Sequence, residues 1–403
     1  MHKAPIDLPE AELSALHTTA LSGVIGQGLE ADGGWWPFDR FMAAALYTPG
    51  LGYYSGPHLP FGLMPQDGSD FVTAPELSPL FGEALGVQVR QALQATGTRV
   101  VCEFGAGSGA LAEQLLQALG DAVERYWIVD LSGTLRQRQA QRLSRFGARV
   151  QWLDEWPEHL EAVVVANEML DALPVTLLHW DGVQWWERGV VCAPDPDPRA
   201  ATEVGLKDTV RFDWSDRLTA LRPPVDGRTP SALEDTQMQW AQRFAPGTVV
   251  EIHPQAEAFM RSLASCLLRG AAFFIDYGFP EHEYYHPQRT GGTLMCHRAH
   301  RSDPNPLVEV GLKDITAHVN FTAVALAAQE AGMTVLGYTS QARFLMNCGL
   351  VDMMGAVELK QRAHAAKLVT EHEMGELFKV LGVAAGQGFD ALGFAAGDRS
   401  HTL

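Results

Sequence analysis

The sequence predicts an α/β fold built on a mostly parallel sheet, and three observations point that way. Apolar runs rich in β-branched residues recur at 100–104, 126–131, 150–153 and 162–166. Segments of helical periodicity alternate with them, the pattern of a parallel sheet covered on both faces. Between Arg99 and Leu119 the chain reads RVVCEFGAGSGALAEQLLQAL: a strand, a turn with Gly105, Gly107 and Gly109, and a helix with Leu111, Leu115 and Leu119 on one face. Glu103, Asp130, Asp154 and Glu168 fall at or just past the ends of the four strands, where ligands bind in such sheets.

The elements follow in order. A helix spans residues 7–30, opening near Asp7, Leu8 and Pro9, with Leu13, Leu16 and Leu21 as its apolar face. A shorter helix within WWPFDRFMAAALYTPGLGYY ends at Pro49 and Gly50, and the aromatic turn after it either lines a pocket or covers a core. Residues 68–85 give a polar loop, an extended piece and a helix started by Ser78 and Pro79, with Glu76 placed to favour its N-terminal dipole. After the glycine turn, strand 126–131 leads into the helix TLRQRQAQRL, strand 150–153 precedes Asp154, and AVVVA closes on Asn167 and Glu168. LLHWDGVQWWERGVVC reads as a hairpin turning at Asp181 and Gly182, and the polar stretch to Pro246 has no clear periodicity. From Thr248 come a strand VVEIHP, a helix AEAFMRSLASCLLRG capped by Gly270, and a strand AAFFIDYG carrying Asp276. Residues 279–313 read as a long loop, Ala323–Ala331 as a helix stopped by Gly332, and TVLGYTSQARFL as a strand. The last stretch gives a short helix and two strand-like runs around Gly386–Asp390. The predicted organisation is an N-terminal helical cap region at 1–95, a first part of a Rossmann-like domain at 96–180, a β-rich insertion at 181–247 and the second part at 248–403.

Composition narrows the partners. The chain is 46% hydrophobic and 19% charged, with a formal charge of −18 and no Lys/Arg cluster, which argues against a nucleic-acid partner and permits a cationic substrate. Cys102, Cys192, Cys266, Cys296 and Cys348 are widely spaced and read as reduced thiols. The start, MHKAPIDLPEAEL, shows neither an apolar h-region nor an Arg-rich amphipathic pattern, and no apolar run is long enough for a bilayer. The expectation is a cytoplasmic protein without membrane insertion. His297 and His300 lack an obvious third ligand, so no metal is expected.

Two cofactor classes compete for the glycine turn. Gly105, Gly107 and Ala110 satisfy the dinucleotide pattern, with Asp130 at the distance of a ribose-binding acid. The same run satisfies the G-x-G-x-G turn of methyltransferases that use S-adenosylmethionine (SAM), where an acid commonly stands two positions before the first glycine, as Glu103 does. A carboxylate there helps to hold the ammonium and sulfonium charges of SAM and would repel a pyrophosphate. SAM is therefore favoured. A C-terminal antiparallel hairpin on an otherwise parallel sheet also suits a class I methyltransferase. Asp130 is placed for ribose hydroxyls; Asp154 either approaches the adenine amino group or caps the next helix.

Several segments together resemble one family, the MidA-like proteins, which include the arginine methyltransferase of mitochondrial complex I assembly. The matching pieces are SDFVTAPELSPLFGEAL, VVCEFGAGSGALAEQLL, ANEMLDALPV, VVEIHPQAE, FFIDYG, GGTLMCHRAH, DITAHVNF and EMGELFKVL, in order from about residue 36 to residue 382. The chain departs from that family at Met169 and Leu170, where aromatics are common, and at Asn320, where an aspartate is common. The resemblance implies a SAM-dependent methyltransferase fold and, for the mitochondrial relative, dimethylation of an arginine in a protein subunit. A protein substrate is the partner expected, by resemblance a respiratory-complex subunit. The expected cofactor contacts are Glu103, Gly105, Gly107, Gly109, Asp130, Asp154, Asn167, Thr73 and Glu76.

A guanidinium is protonated at neutral pH, so its site needs carboxylates that orient it and take the proton as the new bond forms. Glu168 and Asp171 are the candidates for gripping the acceptor nitrogen; Asp276 and the segment from Asp314 to His318 come second. His318 either relays a proton or is a structural histidine. The alternatives are a small-molecule amine as acceptor, or a SAM-binding assembly factor with little catalysis. The apolar N-terminal helices form either a lid or a homodimer surface.

Overall fold

The computed structural model describes residues 10–56, 72–194, 210–224 and 240–403. The expected helix start at 7–9, the polar loop at 68–71 and most of the polar stretch of the insertion lie outside them. Helix α1 (Glu10–Ala31) leads to the short strand β1 (Trp36–Pro37) and to α2 (Phe38–Tyr47). Then come α3 (Ala74–Leu77), α4 (Pro79–Thr96), β2 (Val100–Phe104), α5 (Ala110–Leu119), β3 (Arg125–Val129), α6 (Gly133–Arg142), β4 (Val150–Leu153) and β5 (Leu160–Asn167). Strands β6 (Thr176–Trp180), β7 (Trp185–Cys192), β8 (Phe212–Leu218) and β9 (Val249–Ile252) precede α7 (Pro254–Cys266), β10 (Leu267–Phe279) and α8 (Glu281–Tyr284). The remainder is β11 (Met295–Arg298), β12 (Arg301–Asp303), β13 (Asp314–Thr316), β14 (Val319–Asn320), α9 (Phe321–Glu330), β15 (Met333–Ser340), α10 (Gln341–Asn347), α11 (Leu350–Gly355), α12 (Leu359–Lys367) and β16 (Phe378–Ala385).

The central sheet runs β15-β16-β10-β5-β2-β3-β4, with β14 also on β10. Strands β4, β3, β2, β5 and β10 are parallel, and β16 is antiparallel to both of its neighbours. Both faces are covered, which is why β5 and β10 read as unbroken apolar runs. Val101, Val163, Val165 and Phe273 pack under α4 and α5, while Cys102, Val164 and Phe274 pack under α7 and α9. The period of two assigns alternate residues of each strand to opposite cores.

A second sheet, β1-β7-β6-β9 with β8 paired along β7 from Trp186 to Cys192, is antiparallel. It packs with α1, α2 and a small sheet β12-β11-β13 around Leu21, Ile25, Phe41, Leu177, Cys296 and Ile315. The five cysteines are unbridged. No helix among the described residues is long and apolar enough to cross a membrane.

Several sequence expectations need correction. The buried face of α1 is Leu21, Ile25 and Leu29, whereas Leu13 and Leu16 are half exposed or more, because the second sheet meets only the C-terminal half of the helix. Gly270 does not cap α7; β10 begins at once, and Gly270 lies within it at φ 149, where a Cβ would stand 1.8 Å from the carbonyl oxygen of Ala162. Residues 279–313 hold a helix and two strands, and QARFL belongs to α10, started after Ser340. The antiparallel pair that ends the sheet is β15 with β16, joined by α10, α11 and α12 rather than by a tight turn, and a 3₁₀ turn at Leu392–Phe394 stands in place of the expected last strand. Strand β9 joins the second sheet, and β8 was missed because it is a mostly polar edge strand.

Candidate functional site

A cavity of about 480 Å³ opens beyond the carboxyl ends of β2, β3 and β5. The apolar strand β2 brings the chain to its rim, and the glycine turn carries it round with Gly105, Gly107 and Gly109 at φ 67, 54 and 81. L side chains seldom adopt this left-handed region, so the turn requires glycine. Gly105 and Gly107 line the cavity; Gly109 does not, and instead starts α5. The free N–H groups at the N-terminus of α5 favour an anionic group such as a carboxylate.

Glu103 is on the wall. Its Oε2 accepts a hydrogen bond of 2.6 Å from Tyr126, and burial pushes its carboxyl up to about 8. Asp130 is also on the wall, accepting from the Ser132 N–H at 2.9 Å and from Gln139 at 2.7 Å. Burial raises its carboxyl above the ordinary range. Thr73 lines the cavity as well. So does Asn167, whose Nδ2 donates to Glu168 while its buried Oδ1 has no partner. That oxygen is an acceptor held ready for a ligand's N–H.

Besides Gly109, two expected contacts lie elsewhere. Asp154 is 87% exposed in its side chain and ion-paired to Arg136, because the chain turns outward after β4. Trp156, Leu131, Phe104 and Phe259 supply an apolar wall instead. Glu76 stands behind the glycine turn, where it accepts from Ser108 and from Arg142 at 2.8 Å, and Arg142 also holds Glu113 of α5. This clasp ties α3 to α5 and α6.

The same cavity is also lined by Glu168, Asp171, Asp314, Tyr47, Tyr54, Tyr277, Thr316 and His297. Glu168 occupies a left-handed conformation at φ 51. It accepts from Tyr277 at 3.0 Å, and burial pushes its carboxyl up to about 7. Burial together with Asp276, Asp314 and Glu168 raises Asp171 well above the ordinary range. Tyr54 donates to Asp314 at 2.8 Å and stacks with Tyr47, ring centroids 5.7 Å apart. The aromatic turn thus divides its duties: Tyr53 is core and Tyr54 faces the cavity.

Asp276 and His318 are not on this wall. Asp276 lies behind it at 1% exposure, its Oδ2 accepting from the N–H groups of Met169, Leu170 and Asp171 at 3.1, 2.9 and 3.2 Å and its Oδ1 from Tyr277. It folds the loop that carries Glu168 and Asp171. His318 stacks on Phe279 at 5.3 Å, and burial lowers its imidazole to about 4. Asn320 caps α9 by accepting from Ala323, a task either an amide or a carboxylate performs. The sequence offered no signal for Asp314 beyond its segment, or for His297 as a wall residue, because strand pairing across a long connection brings them in.

Comparison with known proteins places this geometry. The chain is 28% identical to protein arginine methyltransferase NDUFAF7, mitochondrial, of Xenopus tropicalis, over 85% of this chain and 81% of that protein. The human protein of that name is 26% identical over 77% of this chain and 69% of its own length. A crystal structure of a candidate methyl transferase from Burkholderia thailandensis, bound to S-adenosyl-homocysteine, is 46% identical over the full length of both chains, with a TM-score of 0.85. The cytoplasmic expectation is withdrawn, since the curated relatives are named as mitochondrial proteins. It rested on the lack of a leader pattern, and an address segment is independent of the folded body. Residues 84–339 match the family described as "Putative S-adenosyl-L-methionine-dependent methyltransferase". With that match over more than half of its length and the glycine turn at the head of its parallel sheet, the chain belongs to this family of SAM-dependent methyltransferases.

Proposed function

We propose that the protein transfers a methyl group from SAM to an arginine side chain of a protein partner. One observation carries this reading: the cavity wall beyond the glycine turn bears Glu168, Asp171 and Asp314 with three tyrosines, and, among the described residues, neither lysine nor arginine. Such a wall suits a planar cation. Relatives named as protein arginine methyltransferases support the choice of arginine.

The residues present fit the cofactor. Glu103 would hold its ammonium, the α5 N-terminus and glycine turn its carboxylate, Asp130 the ribose hydroxyls, and Leu131, Trp156 and Phe259 the adenine. When bound, SAM supplies an electrophilic methyl group on a sulfonium. The chain's own part is alignment, exclusion of water and proton acceptance. Asp171 and Asp314 orient the guanidinium, and Glu168 takes the proton as the N–C bond forms and the S–C bond breaks. A base poised near 7 is well matched to that task. Asp276 acts through the loop it folds. The resemblance extends the proposal to a respiratory-complex subunit as the carrier of the arginine.

The test uses methyl-tritiated SAM and a synthetic arginine–glycine repeat peptide, with amino-acid analysis of the product. Methylarginine from the wild type, and a loss of about 100-fold in Glu168→Gln with SAM binding retained, is the expected result. Unlabelled peptide, or label on another residue, would remove arginine as the acceptor.

A further inference from the structure

We infer that His297 is the group through which the acceptor's proton leaves the cavity, acting through Asp314. This rests on the arginine reading above, which requires that a proton be shed. In transfer to a guanidinium one N–C bond forms, one S–C bond breaks, the methylguanidinium remains a cation and one proton is left over. Glu168 takes it first. The carboxylate cluster must then be cleared before the next acceptor binds.

The small sheet shows how. Strand β11 lies between β12 and β13, and its register sets His297 opposite Asp314 on one side and opposite Ser302 on the other. Directly opposed residues of antiparallel strands project to the same face with Cβ atoms about 4.5–5.5 Å apart. Asp314 is 2% exposed and accepts from Tyr54 inside the cavity, whereas Ser302 is exposed. His297 therefore stands in a row that runs from a buried carboxylate to solvent, two residues before the exposed turn at Ala299 and His300.

Chemistry points to the same residue. Of the ionisable groups that the described residues bring to the cavity wall, His297 is the one base; the others are Glu103, Asp130, Glu168, Asp171, Asp314 and tyrosines. An imidazole has one ring nitrogen that accepts a proton and another that gives one up, so it can pass a proton from a carboxylate cluster toward solvent without holding a permanent charge there. The titratable and charged groups around it are Asp314 on β13, Asp303 on β12 with its partner Lys313, and His318. His318 is shut between aromatic rings and does not reach the wall.

The relay predicts a split between first and later turnovers. Methyl transfer to the arginine–glycine repeat peptide is followed from a burst into steady state for the wild type, His297→Ala and His297→Gln. Both variants should complete the first turnover at the wild-type rate and then run about tenfold or more slower, with imidazole in the buffer restoring His297→Ala. A merely structural role would slow both phases together and would not respond to imidazole. Equal rates in both phases, or equal slowing of both, overturns the inference. If His297→Ala loses S-adenosylhomocysteine binding, His297→Gln, which keeps a polar side chain of similar length, decides alone. A wild type that leaves the peptide unlabelled overturns the acceptor reading, and the relay with it.

Discussion

Individual residues carry the tightest constraints. Gly107 combines a φ of 54 with a place on the cavity wall. Gly107→Val should therefore abolish SAM binding while far-UV circular dichroism stays that of the wild type; unchanged affinity by calorimetry would displace the glycine turn from the cofactor site. Glu103 makes a second prediction. Its carboxyl is held up to about 8 by burial and is protonated at neutral pH until a cation arrives. Binding of SAM near pH 7 should release that proton, seen as a dependence of the binding heat on the ionisation enthalpy of the buffer. A heat independent of buffer would mean that Glu103 does not meet the ammonium. Glycine turn and acid alike were legible in the sequence, because both lie on one continuous strand and turn.

Elements were legible where local periodicity decides them and obscure where long-range pairing does. The runs at β2, β3, β4 and β5 announce themselves as short apolar, β-branched stretches, and Ser78 marks the start of α4, accepting from the Leu80 N–H as an N-cap should. Strand β8 is polar because only its pairing with β7 makes it a strand, and β11 and β12 hide in a loop-like composition for the same reason. Gly270 shows how two readings of one residue diverge: a helix stop by local rule, a close strand contact by tertiary packing. Gly270→Ala should cost about 3 kcal/mol, read from the denaturant midpoint, since its Cβ would collide with the backbone of β5. A neutral outcome would mean that β5 and β10 part at little cost at this point.

The whole molecule concentrates buried acids at one end of its sheet. Burial raises Glu103 to about 8 and Glu168 to about 7, against ordinary values near 4, and burial beside Glu168 raises Asp276 as well. The folded state therefore binds more protons than the unfolded chain between about pH 4 and 8, and their stabilising contribution is lost as pH rises through that window. The melting temperature of the ligand-free protein should fall from about pH 5 to pH 8, and saturating SAM should flatten the fall by supplying a cation. A melting temperature that rises over this range would contradict the raised carboxyls. The acidic excess of the composition was plain in the sequence, and so were Glu168 and Asp171 at the end of β5; that Asp314 joins them in one cavity was legible only as part of its segment, since it comes from β13, far along the chain. The bond pattern of Asp276 has a consequence for protein engineering. One side chain on β10 receives the backbone of residues 169–171 from the end of β5, so the loop takes its shape from a strand more than a hundred positions further along. The motif ANEMLDALP is thus not a portable cassette. Grafted into another scaffold it would arrive without its mould, and chimaeras of this family should be cut so that both halves travel together.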